Sequence, residues 1–229
     1  MRNLNSNPYD PELVPNDKEM FNNDSDVVTK TGTTTIGVAA TDGVVIATDR
    51  RASLGGRFVS NKNIVKVEEI QPRTAMTLVG SVGGAQDFIK QLRAEASLYE
   101  ARRRKEMRVS EIATLASNFA RRGPFAAINP IIGGLDNTGS NVFTIDPAGG
   151  CIQDDYAVTG SGMQVAHGKL EDEYYSDITV EEAKSLTGRA IQAAAERDTG
   201  SGNGLVLCSI TDDELKIDKY NDYSIVSEL

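Results

Sequence analysis

Side chains that commonly activate a nucleophile are scarce in this chain. A single histidine, His167, and two widely separated cysteines, Cys151 and Cys208, are all that 229 residues provide. That inventory offers no plausible Ser-His-Asp or Cys-His arrangement and too few ligands for an ordinary Cys/His zinc site. A hydrolytic reaction needs a different base. The α-amine of a chain terminus is one, with an ordinary pKa of about 7.7–8.0 that suits proton transfer near neutrality. Thr33 follows Gly32 at the point where a polar stretch gives way to a β-rich run. Cleavage of the Gly32–Thr33 bond would therefore put hydroxyl nucleophile and base on one residue. Gly32 leaves space for the attacking group to approach its carbonyl. The two cysteines then read as small buried hydrophobes, and His167 as a packing or interface residue.

These groups need a rigid body to hold them, and its boundary is legible. Residues 1–32 contain six Asn, four Asp and three Pro, with no run of either secondary-structure period, the composition of a disordered tail. From Thr33 the pattern changes to Thr33–Ala40, a turn containing Asp42-Gly43, and the apolar run Val44–Ala47, which together predict a hairpin. Further strands are expected around Asn63–Val67, Ala75–Val79, Pro130–Gly134, Asn141–Ile145, Tyr156–Thr159, Leu205–Ile210 and Glu214–Asp218. Helical spacing marks Gln86–Glu100, a segment after Ser110 as N-cap, and Met163–Tyr174; Thr179-Val180-Glu181-Glu182 resembles a capping box opening a fourth helix. Strands and helix pairs come in blocks rather than alternating. The expected fold is α+β: a four-layer αββα sandwich of two antiparallel sheets, each covered outside by a helix pair.

Charge and hydropathy narrow the function classes. Twenty-four basic against 33 acidic residues give a net charge of −9, a poor match to a polyanion, so nucleic acid is not an expected partner. The basic run Arg102-Arg103-Arg104-Lys105 reads as a solvated connection or a contact to an acidic neighbour. No stretch approaches the length of an apolar membrane span and the N-terminus lacks an apolar signal segment, so the expected location is cytoplasmic, without membrane association. No metal or cofactor is expected.

Six short segments carry a resemblance in order and spacing: Thr31-Gly32-Thr33-Thr34-Thr35, Ala47-Thr48-Asp49-Arg50-Arg51-Ala52, Asn61-Lys62-Asn63-Ile64-Val65-Lys66-Val67, Gly80-Ser81-Val82-Gly83-Gly84, Thr159-Gly160-Ser161-Gly162 and Arg197-Asp198-Thr199-Gly200-Ser201-Gly202. Across nearly all of residues 31–215 the chain resembles the β subunit of the archaeal 20S proteasome, an N-terminal-nucleophile hydrolase. The resemblance implies a propeptide, 1–32, removed by autocatalysis, and a catalytic domain, 33–229. It makes Thr33 the nucleophile, Asp49 the acidic support of a catalytic Lys66, and the Gly80 amide the oxyanion donor. Ser161, Asp198 and Ser201 become the groups around the mature N-terminus. Lys66 is preferred over Lys62 because it lies in an apolar, strand-like run rather than a polar turn. Its charge would lower the pKa of an adjacent ammonium, with Asp49 offsetting its desolvation.

By the same resemblance Ala52, Ile64, Leu78 and Val82 form the pocket for the residue before the scissile bond, apolar and without a fixed charge. The family assembles as seven-membered β rings stacked with α rings, fed unfolded polypeptides by a regulatory ATPase. Two other enzymes or scaffolds share parts of this pattern: an HslV-like threonine peptidase and a noncatalytic structural ring subunit. The long leader, Asp49-Arg50-Arg51 and Gly160-Ser161-Gly162 favour the proteasome over the first, and intact Thr33, Asp49 and Lys66 argue against the second. A generic acidic protein-binding module leaves the polar constellation unexplained.

Overall fold

The computed structural model describes residues 32–54, 56–122 and 128–229; the side chain of Val82 lies outside the description. The proposed leader therefore lies outside the described residues except for Gly32.

Alternation within the strands explains the layers. In β1 (Thr34–Ala40) and β2 (Gly43–Asp49), Ile36, Val38, Val45 and Ala47 point to one side, while Val44 and Ile46 point to the other. Both sides are buried, so this sheet is covered on both faces. It has the order β10-β1-β2-β11-β12, completed by β10 (Tyr156–Gly160), β11 (Leu205–Ile210) and β12 (Leu215–Tyr220). The second sheet runs β5-β6-β7-β8-β9, from β5 (Val67–Gln71), β6 (Thr74–Thr77), β7 (Ile131–Asp136), β8 (Gly139–Ile145) and β9 (Cys151–Asp154). Among the described residues every strand pairing is antiparallel.

Three apolar clusters sit between the four layers. Val44, Ile46, Val67, Ile131, Val142 and Val206 fill the space between the sheets. Helices α1 (Val82–Arg103) and α2 (Val109–Arg122) cover the second sheet through Phe88, Leu92 and Ile112 on Met76, Ile132 and Phe143. Helices α3 (Met163–Glu173) and α4 (Val180–Arg197) cover the first through Leu170, Leu186, Ala190 and Ile191. The four-layer expectation holds.

Local signals held unevenly. Thr179 caps α4 with a complete capping box: its hydroxyl accepts from Glu182 N–H and the Glu182 carboxylate accepts from Thr179 N–H. Ser110, expected as a cap, lies inside α2 instead, because the Asp136 carboxylate at the end of β7 accepts from Val109 N–H at 2.8 Å. Asn63–Lys66 is not strand; pairing begins at Val67. The hairpin of β3 (Ala52–Leu54) and β4 (Phe58–Asn61) was not expected, since its Leu54 and Phe58 are exposed and give no core pattern. Cys208 is buried as expected, but Cys151 is exposed because β9 is an edge strand with all four residues at the surface. His167 packs edge-on to Tyr156 with ring centroids 5.5 Å apart.

Candidate active site

Four strand ends and one helix end meet at one edge of the first sheet. β1 begins after Thr33, β2 ends at Asp49, β10 ends at Gly160, and β11 begins at Leu205 opposite Asp49. The register pairs Thr34 with Gly160, and α4 finishes with Asp198 as its C-cap. Residues separated by more than 160 positions in the chain thus arrive together.

Thr33 is buried in this junction. Its N–H donates to Ser161 Oγ at 3.0 Å, and Ser161 Oγ–H donates to Asp198 Oδ2 at 2.6 Å. Ser201 Oγ–H donates to the same Asp198 oxygen at 2.6 Å and shares a 2.7 Å hydrogen bond with Thr34 Oγ1. Asp198 therefore orients two hydroxyls at the head of β1. Gly160 makes room for it: its φ is +96°, and a Cβ there would lie 2.1 Å from the Thr33 carbonyl oxygen, which no other residue type accommodates without displacing Thr33.

Asp49 is fully buried and fully partnered. Oδ1 accepts from Lys66 Nζ at 2.6 Å and from Thr34 N–H at 3.0 Å, while Oδ2 accepts from the N–H groups of Arg51 and Gly202, both at 2.9 Å. Four donors surround one carboxylate, as a buried charge requires. Lys66 is 3% exposed, whereas Lys62 is exposed on the preceding turn. Burial lowers the Lys66 pKa from its ordinary 10.5, and the neighbouring Asp49 carboxylate opposes that shift without cancelling it. The result is an ammonium less reluctant to lose its proton than a surface lysine.

Thr33 and Lys66 border one pocket, together with Gly32 and Gly80. Ala52, Ile64 and Leu78 form apolar parts of its wall. Val82, the remaining expected wall residue, contributes only its helix position here, since its side chain lies outside the description. Sequence reasoning missed other members: Val65, Ala85, Gln86 and, contrary to the expectation of an uncharged lining, Glu68. Gly80 sits at φ +95° in an isolated bridge to Ile128, ahead of α1, whose N-cap is Ser81.

Two further supports were not anticipated. Ser53 on β3 is buried, and its Oγ accepts from Gly32 N–H at 3.1 Å. Arg51 ties the β2 end to the loop after α4 by donating to Asn203 Oδ1 and the Thr199 carbonyl. Ser53 had no signal in the sequence, and Arg51 stood only as a member of Asp49-Arg50-Arg51, without a role of its own. A larger groove of about 450 Å³, bordered by Arg73, Arg104, Lys105 and Arg108, contains none of these groups. It is polar and takes in part of the basic run.

Among the described residues no group of His, Cys, Asp and Glu has metal-ligand spacing, and no helix is long and apolar enough to cross a membrane.

Comparison with known proteins shows which family the chain resembles. The family model "Proteasome subunit" matches residues 29–210. A "Proteasome subunit beta" of Halorhabdus utahensis is 65% identical, covering 95% of this chain and 92% of its own. Another of Halomicrobium mukohataei is 61% identical over 97% and 94%. The "Proteasome subunit beta 1" of Haloarcula marismortui is 62% identical over 94% and 90%.

Proposed function

The chain belongs to the proteasome subunit family, as an archaeal-type β subunit, and we propose that it is a threonine endopeptidase of the proteasome core whose nucleophile is the Thr33 hydroxyl. The observation that carries this reading is the position of Thr33: its main-chain nitrogen rests on the Ser161–Asp198 pair while its residue borders the pocket shared with Lys66.

Before processing, that nitrogen is an amide and no base. The Thr33 hydroxyl attacks the Gly32 carbonyl, an N-to-O acyl shift gives an ester, and water hydrolyses it, releasing residues 1–32 and freeing the amine. Gly32 is held for this step by Ser53 Oγ, in a slot where a Cβ would lie 2.1 Å from Gly200 Cα.

In the mature subunit the Thr33 amine takes the hydroxyl proton as Oγ1 attacks a substrate carbonyl. The Gly80 N–H is the proposed donor to the oxyanion, an interaction whose removal typically costs about 3–4 kcal/mol of barrier. The ammonium protonates the departing amine, and water, assisted by the same amine, then cleaves the acyl-enzyme. Lys66, charged and paired with Asp49, favours the neutral amine and the developing alkoxide. Ser161, Asp198 and Ser201 orient the amine and relay its proton.

Ala52, Ile64 and Leu78 suit hydrophobic residues before the cleaved bond, with Val82 joining them by resemblance. Stacked seven-membered β rings between α rings, an ATPase that delivers unfolded polypeptide, and a cytoplasmic setting complete the proposal. Thr33→Ala, in assembled complex, should abolish hydrolysis of a hydrophobic peptide, while Thr33→Ser should retain a measurable part. Undiminished turnover in purified Thr33→Ala complex would move the chain to the noncatalytic reading.

A further inference from the structure

The pocket beside Thr33 is not wholly apolar: it is lined by Lys66, whose charge is paired with Asp49, and by Glu68. Alternation along the start of β5 accounts for the acidic residue: Val67 turns into the cluster between the sheets, whereas Ile70 faces the helix layer, as does Glu68, which lines the pocket with Ala52 and Leu78. An uncompensated carboxylate there would attract a lysine or arginine side chain of a substrate. It is not uncompensated. Arg93, two turns along α1 from Gln86, donates through one terminal nitrogen to Glu68 Oε2 at 2.8 Å and through Nε to the Glu69 carbonyl at 2.5 Å. The guanidinium is thus fixed at two points on β5, while Arg93 itself is not among the pocket's lining residues.

We propose that Arg93 is a specificity-determining residue: by occupying the Glu68 carboxylate from outside the pocket, it keeps a pocket with an acidic wall selective for hydrophobic side chains. The inference rests on the reading of this pocket as the site for the residue before the scissile bond. Arg93 and Glu68 side chains are 40% and 41% exposed. Such a pair is screened and modest in strength, a factor of about five or less in an equilibrium. A cationic substrate residue must therefore displace Arg93, at a penalty of that order, and is disfavoured rather than excluded.

The test uses assembled, fully processed complex and two peptides that differ only in leucine or arginine before the cleaved bond, read as the ratio of kcat/KM for arginine over leucine. Arg93→Met, which keeps the aliphatic stem, should raise the ratio by up to about fivefold. Adding Glu68→Gln to that variant should return it to the wild-type value. Arg93→Lys, which keeps a cation, should stay near wild type. The gain in Arg93→Met should shrink as salt rises. An unchanged ratio in Arg93→Met, a gain that survives Glu68→Gln, or one indifferent to salt would overturn the proposal while leaving the endopeptidase reading intact. Failure of wild-type complex to cleave either peptide would instead remove the reading beneath it. If Arg93→Met does not assemble, Glu68→Gln alone decides: an unopposed Arg93 should lower the ratio, and an unchanged or raised ratio overturns the assignment.

Discussion

At the residue scale, burial separates the two candidate lysines. Lys66 is enclosed and bonded to Asp49, and Lys62 is in solvent. Lys66→Ala should reduce turnover of a hydrophobic peptide by more than about a hundredfold, because the charge that favours the neutral Thr33 amine is gone and Asp49 loses one of its four donors. Lys62→Ala should change turnover less than about twofold. Lys66→Arg should not rescue, since a broad guanidinium does not fit the single 2.6 Å contact of a compact ammonium. Matched assemblies assayed side by side check all three. The lowered pKa of Lys66 also has a stability consequence with a definite sign. Between its folded value and 10.5 the unfolded chain binds the proton and the folded one does not, so this group's contribution to stability rises with pH through that window. Denaturant unfolding of wild type and Lys66→Met should therefore show the wild type gaining on the variant as pH climbs toward 10.5. A gap that narrows against the wild type contradicts the direction of the shift.

At the element scale, what the sequence disclosed depended on whether the determinant was local. The capping box of α4 needs only Thr179 and Glu182, three residues apart, and was visible. Thr179→Ala should cost about 1 kcal/mol, or roughly 2–4 °C in melting temperature, with hydrolysis nearly unchanged at temperatures well below the transition. The start of α2 was misplaced because its cap comes from Asp136, 27 residues away. Ile64-Val65 looked like strand because both are apolar, yet they are only half-buried and border the pocket rather than pairing. The nucleophile could be proposed from Gly32-Thr33 and the shortage of histidine. Asp49, Ser161, Asp198 and Ser201 could not have been assembled from periodicity, since only the β1–β10 and β2–β11 registers and the end of α4 bring them together. Their grouping came from the resemblance. Ser53 and Glu68 escaped even that. Gly160→Ala tests the register directly: the added methyl meets the Thr33 carbonyl at 2.1 Å, so hydrolysis should fall at least tenfold while far-UV circular dichroism stays close to wild type.

At the scale of the whole molecule, the catalytic proposal requires the chain to be shortened. In the described structure the Thr33 nitrogen is an amide that donates to Ser161, and Gly32 N–H is anchored on Ser53; an amide cannot take a proton from the hydroxyl beside it. Removal of 32 of the 229 residues leaves a mature subunit of 197 beginning Thr33-Thr34-Thr35-Ile36. The core does not depend on that cut, because the three apolar clusters lie wholly within residues 36–229. Folding and maturation should therefore separate. Intact mass of active complex should give only the 197-residue β chain, with N-terminal sequencing starting at Thr33. Thr33→Ala complex should assemble and keep the full-length mass, since the attacking hydroxyl is missing although every other group of the site remains. Gly32→Val should also retain the leader, for a different reason: its side chain has no room against Gly200 Cα, so the carbonyl is displaced from the nucleophile. Active complex whose β chains all retain residues 1–32 would refute the amine as base. A shortened Thr33→Ala chain, with contaminating peptidases excluded, would refute self-processing alone.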